Sequence, residues 1–368
     1  MEKTGVSETS KKERRAIRKA LVSWFTANQR RLPWRETTDP YHVWVSEVML
    51  QQTQVNTVIS YYKRFLDQFP DIFYLAAADA QDVLKCWEGL GYYARARNLH
   101  SAARRLVAEN QGRIPCEWAA FRKLPGVGDY IASAVLSIAF GKPYPMVDGN
   151  VKRVLSRLFA INAPVNRSAS YRIFRETARM LLDKTIPGRF NQAVMEVGAI
   201  VCKPRRPDCD ACPVRRWCRA LADDRVAGYP VRIKRTPVPE YRMAIGVVAK
   251  GRKLLIVQRP YDGMLGGLWE FPGGVRQSGE SAASACARSV GETVGLEVEI
   301  ESRLTRIRHA YTHFKVVADV FLCRYRGGRV RRNGPIAHQW VLAKGLSRYP
   351  LPGSHHKFIP ALLENRSI

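Results

Sequence analysis

The chain reads as two folded parts of different class: a mostly α-helical domain over residues 20–222 and an α+β domain over residues 241–368. Three observations carry this division. Apolar residues recur at i, i+3 and i+4 through 20–222, the period of helices with one buried face. Periodicity is lost over 223–240 (DDRVAGYPVRIKRTPVPE), where Pro230, Pro237 and Pro239 mark an interdomain linker. Beyond it, Met243–Ala249, Lys253–Gln258 and Val316–Arg324 read as strands between glycine turns, and Ser281–Val294 reads as a helix. A length of 368 residues suits two or three domains, and there is no internal repeat or low-complexity segment.

Charge narrows the partner. Lys and Arg total 60 against 32 Asp and Glu, a net charge of +28. Such an excess points to a polyanion, because neutralising phosphates releases condensed counterions. The first 19 residues, with Lys3, Lys11, Lys12, Arg14, Arg15, Arg18 and Lys19, form a basic arm that turns helical near its end. It serves equally well as a DNA-contacting arm or a solubilising tail. The polar start lacks the apolar core of a secretory signal, and no run of 18 apolar residues predicts a membrane span.

Within the helical part, Asp39 and Pro40 suit an N-cap and first turn, and the apolar stripe Trp44, Val48, Val55, Ile59, Tyr62 and Leu66 predicts one helix over 40–66. Glu47 falls about 60° from Trp44 on the helical wheel, at the stripe's edge. Leu124-Pro125-Gly126-Val127-Gly128-Asp129-Tyr130 lies between a short helical stretch and the apolar helix 131–140. Its glycines permit a tight turn and close approach to a phosphate at a helix start; an ordinary helix–helix turn uses them too. Asp148 sits where the helix 151–161 needs an N-cap. The same position places a carboxylate among backbone N–H groups that favour its charged form.

Eight cysteines are present, of which Cys86, Cys116, Cys286 and Cys323 are scattered. Cys202, Cys209, Cys212 and Cys218 follow the spacing C-x6-C-x2-C-x5-C. Zinc sites usually carry two matched short pairs; one short pair between longer arms suits a [4Fe–4S] cluster. Arg205, Arg206, Arg215 and Arg216 lie in the same loop, so the metal would hold cations toward phosphates. No flavin or nicotinamide fingerprint accompanies it, which favours a structural over a redox role.

Three segments together, L-P-G-V-G, then G-K-P followed by V-D-G-N-V, then the cysteine loop, resemble the helix-hairpin-helix DNA glycosylases with an iron–sulfur loop. L-P-W-R (32–35), W-V-S-E-V-M-L-Q-Q-T (44–53) and G-L-G-Y-Y-A-R-A-R-N-L (89–99) are similar to the adenine glycosylases of the MutY type, with the match running over about residues 20–222. The resemblance implies that Glu47 protonates the leaving adenine and that Asp148 stabilises or attacks the oxocarbenium-like sugar. Tyr130 and Asn150 would support the sugar and the acid. Trp34, Arg35 and Leu50 would line a pocket for the extruded adenine. Gln52, Leu90 and Tyr92 would wedge into the base stack, and Gly126 and Gly128 would hold a phosphate. Extrusion is required because the glycosidic bond is out of reach inside a stacked duplex. Relatives resembling endonuclease III carry a lysine nucleophile where this chain has Tyr130, so strand cleavage is not expected.

The C-terminal part resembles a Nudix, or MutT-like, fold. Gly274, Glu280, Arg288, Glu292, Gly295 and Leu296 match the hydrolase box, but Ser289 and Thr293 stand where it requires glutamates. Those carboxylates would hold Mg²⁺, so nucleotide hydrolysis is not expected. Tyr311-Thr312-His313 resembles the turn with which MutY-type proteins inspect 8-oxoguanine; Thr312 keeps a hydroxyl and Tyr311 an aromatic ring. The resemblance implies a monofunctional glycosylase excising adenine opposite 8-oxoguanine or guanine in duplex DNA, acting as a monomer in the cytoplasm at a bacterial-type nucleoid. An endonuclease III-like or mismatch-thymine glycosylase, a lesion-binding protein without activity, and a Nudix hydrolase are the competing readings.

Overall fold

A computed structural model describes residues 9–234 and 236–365. Residues 1–8 of the basic arm and residue 235 of the linker lie outside the described residues. The chain divides into two compact units, one of residues 1–76 and 101–235, the other of 77–100 and 236–368. Among the described residues no helix is long and apolar enough to cross a membrane.

The first unit is helical. Helix α1 spans Lys11–Asn28, so residues 11–19 are its first turns rather than part of an arm. The cause is a reciprocal capping box, in which Ser10 Oγ accepts from the Glu13 N–H and Glu13 accepts from the Ser10 N–H. The helix expected over 40–66 is two helices, α2 (Pro40–Leu50) and α3 (Val55–Gln68). Asp39 caps α2 through the His42 N–H at 2.9 Å, and Pro40 occupies its first turn. The break falls at Gln52, whose φ of 58° is left-handed. A non-glycine residue there costs on the order of 1 kcal/mol, and no local residue type announces it. The break shifts the stripe: α3 buries Val58, Tyr62 and Phe65 and leaves the expected Val55, Ile59 and Leu66 half-buried, whereas α2 is buried from Val43 through Met49.

Short helices α4 (Ile72–Ala77) and α5 (Ala80–Cys86) follow, then α6 (Ala94–Asn110), which runs across the division between the units. Helix α7 (Trp118–Phe121) leads through the glycine turn into α8 (Asp129–Ile138). Gly126 has φ 73°, which a side chain would strain. Gly128 is different: it caps α8 in an extended conformation, and a Cβ there would meet nothing within 4 Å. Its own N–H turns back to the Gly126 carbonyl at 3.2 Å, so the N–H groups left for a ligand are those of the first turn of α8. Helix α9 (Gly149–Leu158) is capped by Asp148, and α10 (Tyr171–Leu181) and α11 (Pro187–Glu196) complete a core around Phe25, Leu155, Phe174 and Phe190. One π-turn, Val197–Val201, carries the chain from α11 to Cys202. After the short helix α12 (Arg219–Ala222), the expected linker is anchored in its first half. Tyr229 is buried, the Val165 N–H donates to the Val231 carbonyl, and Asn166 pairs with the backbone of Ile233.

The second unit holds a seven-stranded mixed sheet. Its strands are β1 (Glu240–Lys250), β2 (Lys253–Gln258), β3 (Trp269–Glu270), β4 (Gly273–Val275), β5 (Leu296–Ala310), β6 (Lys315–Gly328) and β7 (Ala337–Leu342). The main path is β3-β2-β1-β6-β5, with β1 and β6 parallel and β5 and β6 a long bulged hairpin. Helix α13 (Ala282–Val294), capped by Ser281, covers one face with Cys286, Val290 and Val294; the other face packs with Trp269, Phe271 and Phe358, near helix α14 (Ile359–Glu364). Gly274 packs on α13: a Cβ there would stand 2.6 Å from Ser289 Oγ and 3.1 Å from its Cβ, so the serine would have to give way.

One buried ion cluster ties the first unit together. Glu196, 1 % exposed at the end of α11, accepts from Arg30 Nε and Nη2 at 2.9 and 2.8 Å and from Arg35 Nη1 and Nη2 at 3.0 and 2.8 Å. Burial opposes its charge, but the two guanidiniums win and hold its carboxyl down at about 2. A folded value below the usual 4.5 means that this stabilisation is present above pH 4.5 and is lost as pH falls toward 2. Glu196→Gln is expected to destabilise the protein by about 3–5 kcal/mol at pH 7, because two buried cations lose their anion. Chemical denaturation at pH 7 and pH 3 checks this: the loss should shrink at the lower pH.

Candidate functional site

A cavity of about 140 Å³ opens in the helical unit and gathers residues far apart in sequence. Trp34, Arg35, Glu47, Leu50, Tyr130, Asp148 and Asn150 all line it, as do Arg30 and Glu196. Trp34 sits in the turn Pro33–Arg35 and packs edge-on against Tyr62 at 5.5 Å. Leu50 ends α2, one turn beyond Glu47.

Glu47 is 5 % exposed. The Tyr130 hydroxyl donates to its Oε2 at 2.6 Å, joining α2 to α8. Burial dominates its chemistry and pushes its carboxyl up from 4.5 to about 7; the Tyr130 hydrogen bond opposes this, Asp148 adds to it and Arg35 opposes it. Glu47 is therefore divided between acid and carboxylate near neutrality. Tyr130 is itself pushed well above its usual value, first by burial and then by the two carboxyls, so it is a donor.

Asp148 caps α9 through the Val151 N–H at 2.7 Å and accepts from Asn150 Nδ2 at 2.9 Å. The sequence-based expectation that the cap alone would favour its charged form needs correcting. Burial raises its carboxyl above 3.8, and the Val151 and Asn150 hydrogen bonds and the nearby Arg153 charge only partly offset that. The two acids nonetheless differ in kind. Asp148 is held by donors on several sides, whereas Glu47 has one donor and a nearby carboxyl.

Three residues at this site escaped the sequence reading. Glu196 and Arg30 form the ion cluster described above, so Arg35 spends its fork on Glu196 rather than pointing it freely into the cavity. The available signal was a glutamate amid the buried residues Phe190, Ala193, Val194 and Val197. Arg153 is the third. It is buried and donates to Asn150 Oδ1 at 2.7 Å, to the Gly198 carbonyl at 2.6 Å and to the Cys202 carbonyl at 2.7 Å. The Asp148–Asn150 pair is thereby wired to the root of the cysteine loop.

One turn on, Arg157 donates to Cys202 Sγ at 3.3 Å and to the Lys203, Pro204 and Tyr229 carbonyls. The cysteines at 202, 209, 212 and 218 are partly buried and none is in a disulfide. Burial raises the Cys212 thiol to about 11, opposed by the Val214 backbone N–H; burial raises Cys218 too, opposed by the Leu221 and Ala220 N–H groups. Among the described residues, no three His, Cys, Asp or Glu side chains converge to hold a metal ion. Arg205, Arg206, Arg215 and Arg216 are exposed, with Arg215 on Asp210 at 3.0 Å and Arg216 over the Trp217 ring.

In the second unit a cavity of about 440 Å³ is lined by Leu90, Tyr92, Tyr311, Thr312 and His313. The Tyr92 and Thr312 hydroxyls are hydrogen-bonded, and Tyr311 donates to Ser354 Oγ at 3.0 Å. Thr312 and His313 sit at the tip of the β5–β6 hairpin. Tyr92 has φ 49°, left-handed like Gln52. Two non-glycine residues expected to act as wedges therefore both occupy strained turns, a recurrent feature of functional positions. Within the Nudix-like box, Arg288 binds both remaining carboxylates, Glu280 at 2.7 Å and Glu292 at 2.8 Å, and Ser289 Oγ is buried without a hydrogen-bond partner among the described residues.

Comparison with known proteins covers both units. The HhH-GPD superfamily of base excision DNA repair proteins matches residues 45–180, and the NUDIX domain matches residues 244–361. The chain is 36% identical to the adenine DNA glycosylase of Rattus norvegicus, over 85% of this chain and 71% of that protein. It is 35% identical to that of Homo sapiens, over 89% and 70%, and 33% identical to one from Buchnera aphidicola, over 70% and 74%. Among solved structures, a thermostable thymine-DNA glycosylase is 30% identical with a TM-score of 0.53, covering 58% of this chain and 98% of that one. On these matches the chain belongs to the adenine DNA glycosylases of the MutY type and is a DNA glycosylase enzyme.

Proposed function

We propose that the protein removes adenine mispaired with 8-oxoguanine or guanine in duplex DNA by hydrolysing its N-glycosidic bond without cleaving the strand. The observation that carries this reading is the meeting of Glu47, Tyr130, Asp148 and Asn150 in one cavity beside Trp34 and Leu50. Glu47, poised near neutrality, donates a proton to the leaving adenine. Asp148, fixed by Val151 and Asn150, faces the positive charge that develops on the sugar. Tyr130 holds Glu47 in place and, being no amine, offers no Schiff-base route. Gly126 and the first turn of α8, which Gly128 caps without a side chain, present backbone N–H groups to a phosphate. The shared cavity of Leu90, Tyr92, Tyr311, Thr312 and His313 supports recognition of the opposite 8-oxoguanine, with Gln52 a further wedge. Arg35 reaches adenine only from its Glu196 ion pair, so its part is to shape the pocket wall.

Cys202, Cys209, Cys212 and Cys218 would hold a [4Fe–4S] cluster. Four free thiols, backbone N–H groups aimed at Cys212 and Cys218, and the Arg157 guanidinium on Cys202 suit sulfur ligands that carry negative charge. When bound, the cluster supplies a rigid cross-link for the loop; the exposed arginines then meet DNA phosphates.

The decisive assay incubates the protein with duplexes containing A:8-oxoG, A:G, T:G or thymine glycol and reveals abasic sites with alkali. Loss of adenine is expected, and cleavage of only the thymine substrates would overturn the reading. Glu47→Gln should lower excision by at least about 10²–10⁴-fold while duplex binding persists. The same variant should gain stability at pH 8, by about 3 kcal/mol at most, and gain little at pH 4. The sign follows because a folded value raised from 4.5 to about 7 costs stability as pH rises through that window. The wild-type rate should fall above pH 7, and Tyr130→Phe, which removes the bond that lowers Glu47, should move that fall to higher pH. Replacing Thr312 and His313 together by alanine should reduce the preference for 8-oxoG over G by about tenfold, read from single-turnover rates on the two duplexes. Elemental analysis should find about four irons per chain with broad visible absorption; zinc instead would remove the cluster.

A further inference from the structure

On the sheet of the second unit, charge is distributed unevenly along the β5–β6 hairpin. At one end the arginines are matched one to one: Arg324 pairs with Glu301 and Arg326 with Glu299. At the other end three arginines converge on one carboxylate. Asp319 is 2 % exposed; Arg306 binds it through Nε and Nη2 at 2.8 and 3.1 Å, Arg303 approaches to 3.6 Å and Arg276 to 4.0 Å. Among the described residues, Asp319 is the one carboxylate within 4.0 Å of the three. Among the described residues, Arg276 Nε is buried and has no hydrogen-bond partner.

Strand register extends this face. Arg242 on β1 and Arg308 on β5 both stand beside Val317 of β6, on the side of the sheet that carries Asp319. Both are exposed. Two strand spacings separate their backbones by about 10 Å, and long arginine side chains on one face can reach along a single phosphate backbone. A buried carboxylate orients guanidiniums without neutralising them all, so the surface is positive and pre-organised. The same region holds no counterpart for a metal-bound diphosphate: Ser289 and Thr293 replace two carboxylates of the hydrolase box, and Arg288 occupies the other two.

We propose that Arg242, Arg276, Arg303, Arg306 and Arg308 form a metal-independent docking face for the phosphodiester backbone of DNA, replacing the cation site of a Nudix hydrolase with an anion site. This rests on duplex DNA being the substrate. The test measures duplex binding by the full-length protein in EDTA as a function of salt. Arg303→Gln with Arg308→Gln leaves the two-point Arg306–Asp319 pair intact and so keeps the fold. It should lower the slope of log affinity against log salt by about 1–2, at about 0.9 per phosphate contact, and weaken binding about tenfold at low salt. The control, Arg324→Gln with Arg326→Gln, removes the same charge from the matched end and should leave the slope at the wild-type value. An unchanged slope in the first variant, or an equal loss in both, overturns the docking face while leaving the glycosylase reading intact. Wild-type protein without salt-sensitive duplex binding overturns both. A thermal shift with inorganic diphosphate in EDTA, lost in the first variant without a change in DNA slope, reassigns the face to free nucleotides and overturns the proposal.

Discussion

The hydrogen bond from Tyr130 to Glu47 spans two helices that are more than 80 residues apart in sequence, and much of the helical unit is arranged to make it. It places a carboxyl where water is scarce, and scarcity of water is what lifts its proton affinity toward neutrality. An exposed glutamate could not hold a proton at pH 7, and one facing a lysine or arginine directly would be driven the other way. Glu196 illustrates that second case in the same cavity: equally buried, it is held near 2 by two arginines. Burial without a cation and burial with two cations thus give neighbouring glutamates opposite chemistry.

The contrast organises the rest of the unit. The Glu196 ion cluster fixes the turn that carries Trp34 and so builds a wall of the cavity. Asp148 takes a third solution, with backbone and amide donors in place of a formal partner. Arg153 and Arg157 then extend this support to the cysteine loop, so the loop's root and the Asn150 side chain share one buried guanidinium. Arg153 thus connects the root of the loop to the residue that steadies Asp148.

In the second unit, the Nudix fold is kept while two carboxylates of the hydrolase box are replaced. Ser289 packs under Gly274 where a metal-binding carboxylate would stand, and Arg288 consumes the two carboxylates that remain. Tyr311 joins the hairpin tip to the Ser354 segment, which gives the turn carrying Thr312 and His313 a firm base.

How much was legible in advance depended on the range of the forces involved. Local signals were read directly: the strand Lys253–Gln258, the helix over Ser281–Val294, the Asp148 cap, the glycine turn and the division of the chain into helical and mixed parts all follow from short-range propensity. The motif positions Glu47, Asp148 and the cysteine spacing were visible because chemistry constrains residue type. What only the tertiary structure decided were quantities set by neighbours distant in sequence. The break at Gln52 lacks any glycine or proline, since packing on both sides offsets its strain. Arg35 was identifiable as a site residue but not as a ligand of Glu196, and Arg153 gave no sign of bridging Asn150 to Cys202. Above all, the sequence alone named two carboxylic acids, while desolvation, which exists only once the chain has closed around them, lifted the Glu47 carboxyl toward neutrality.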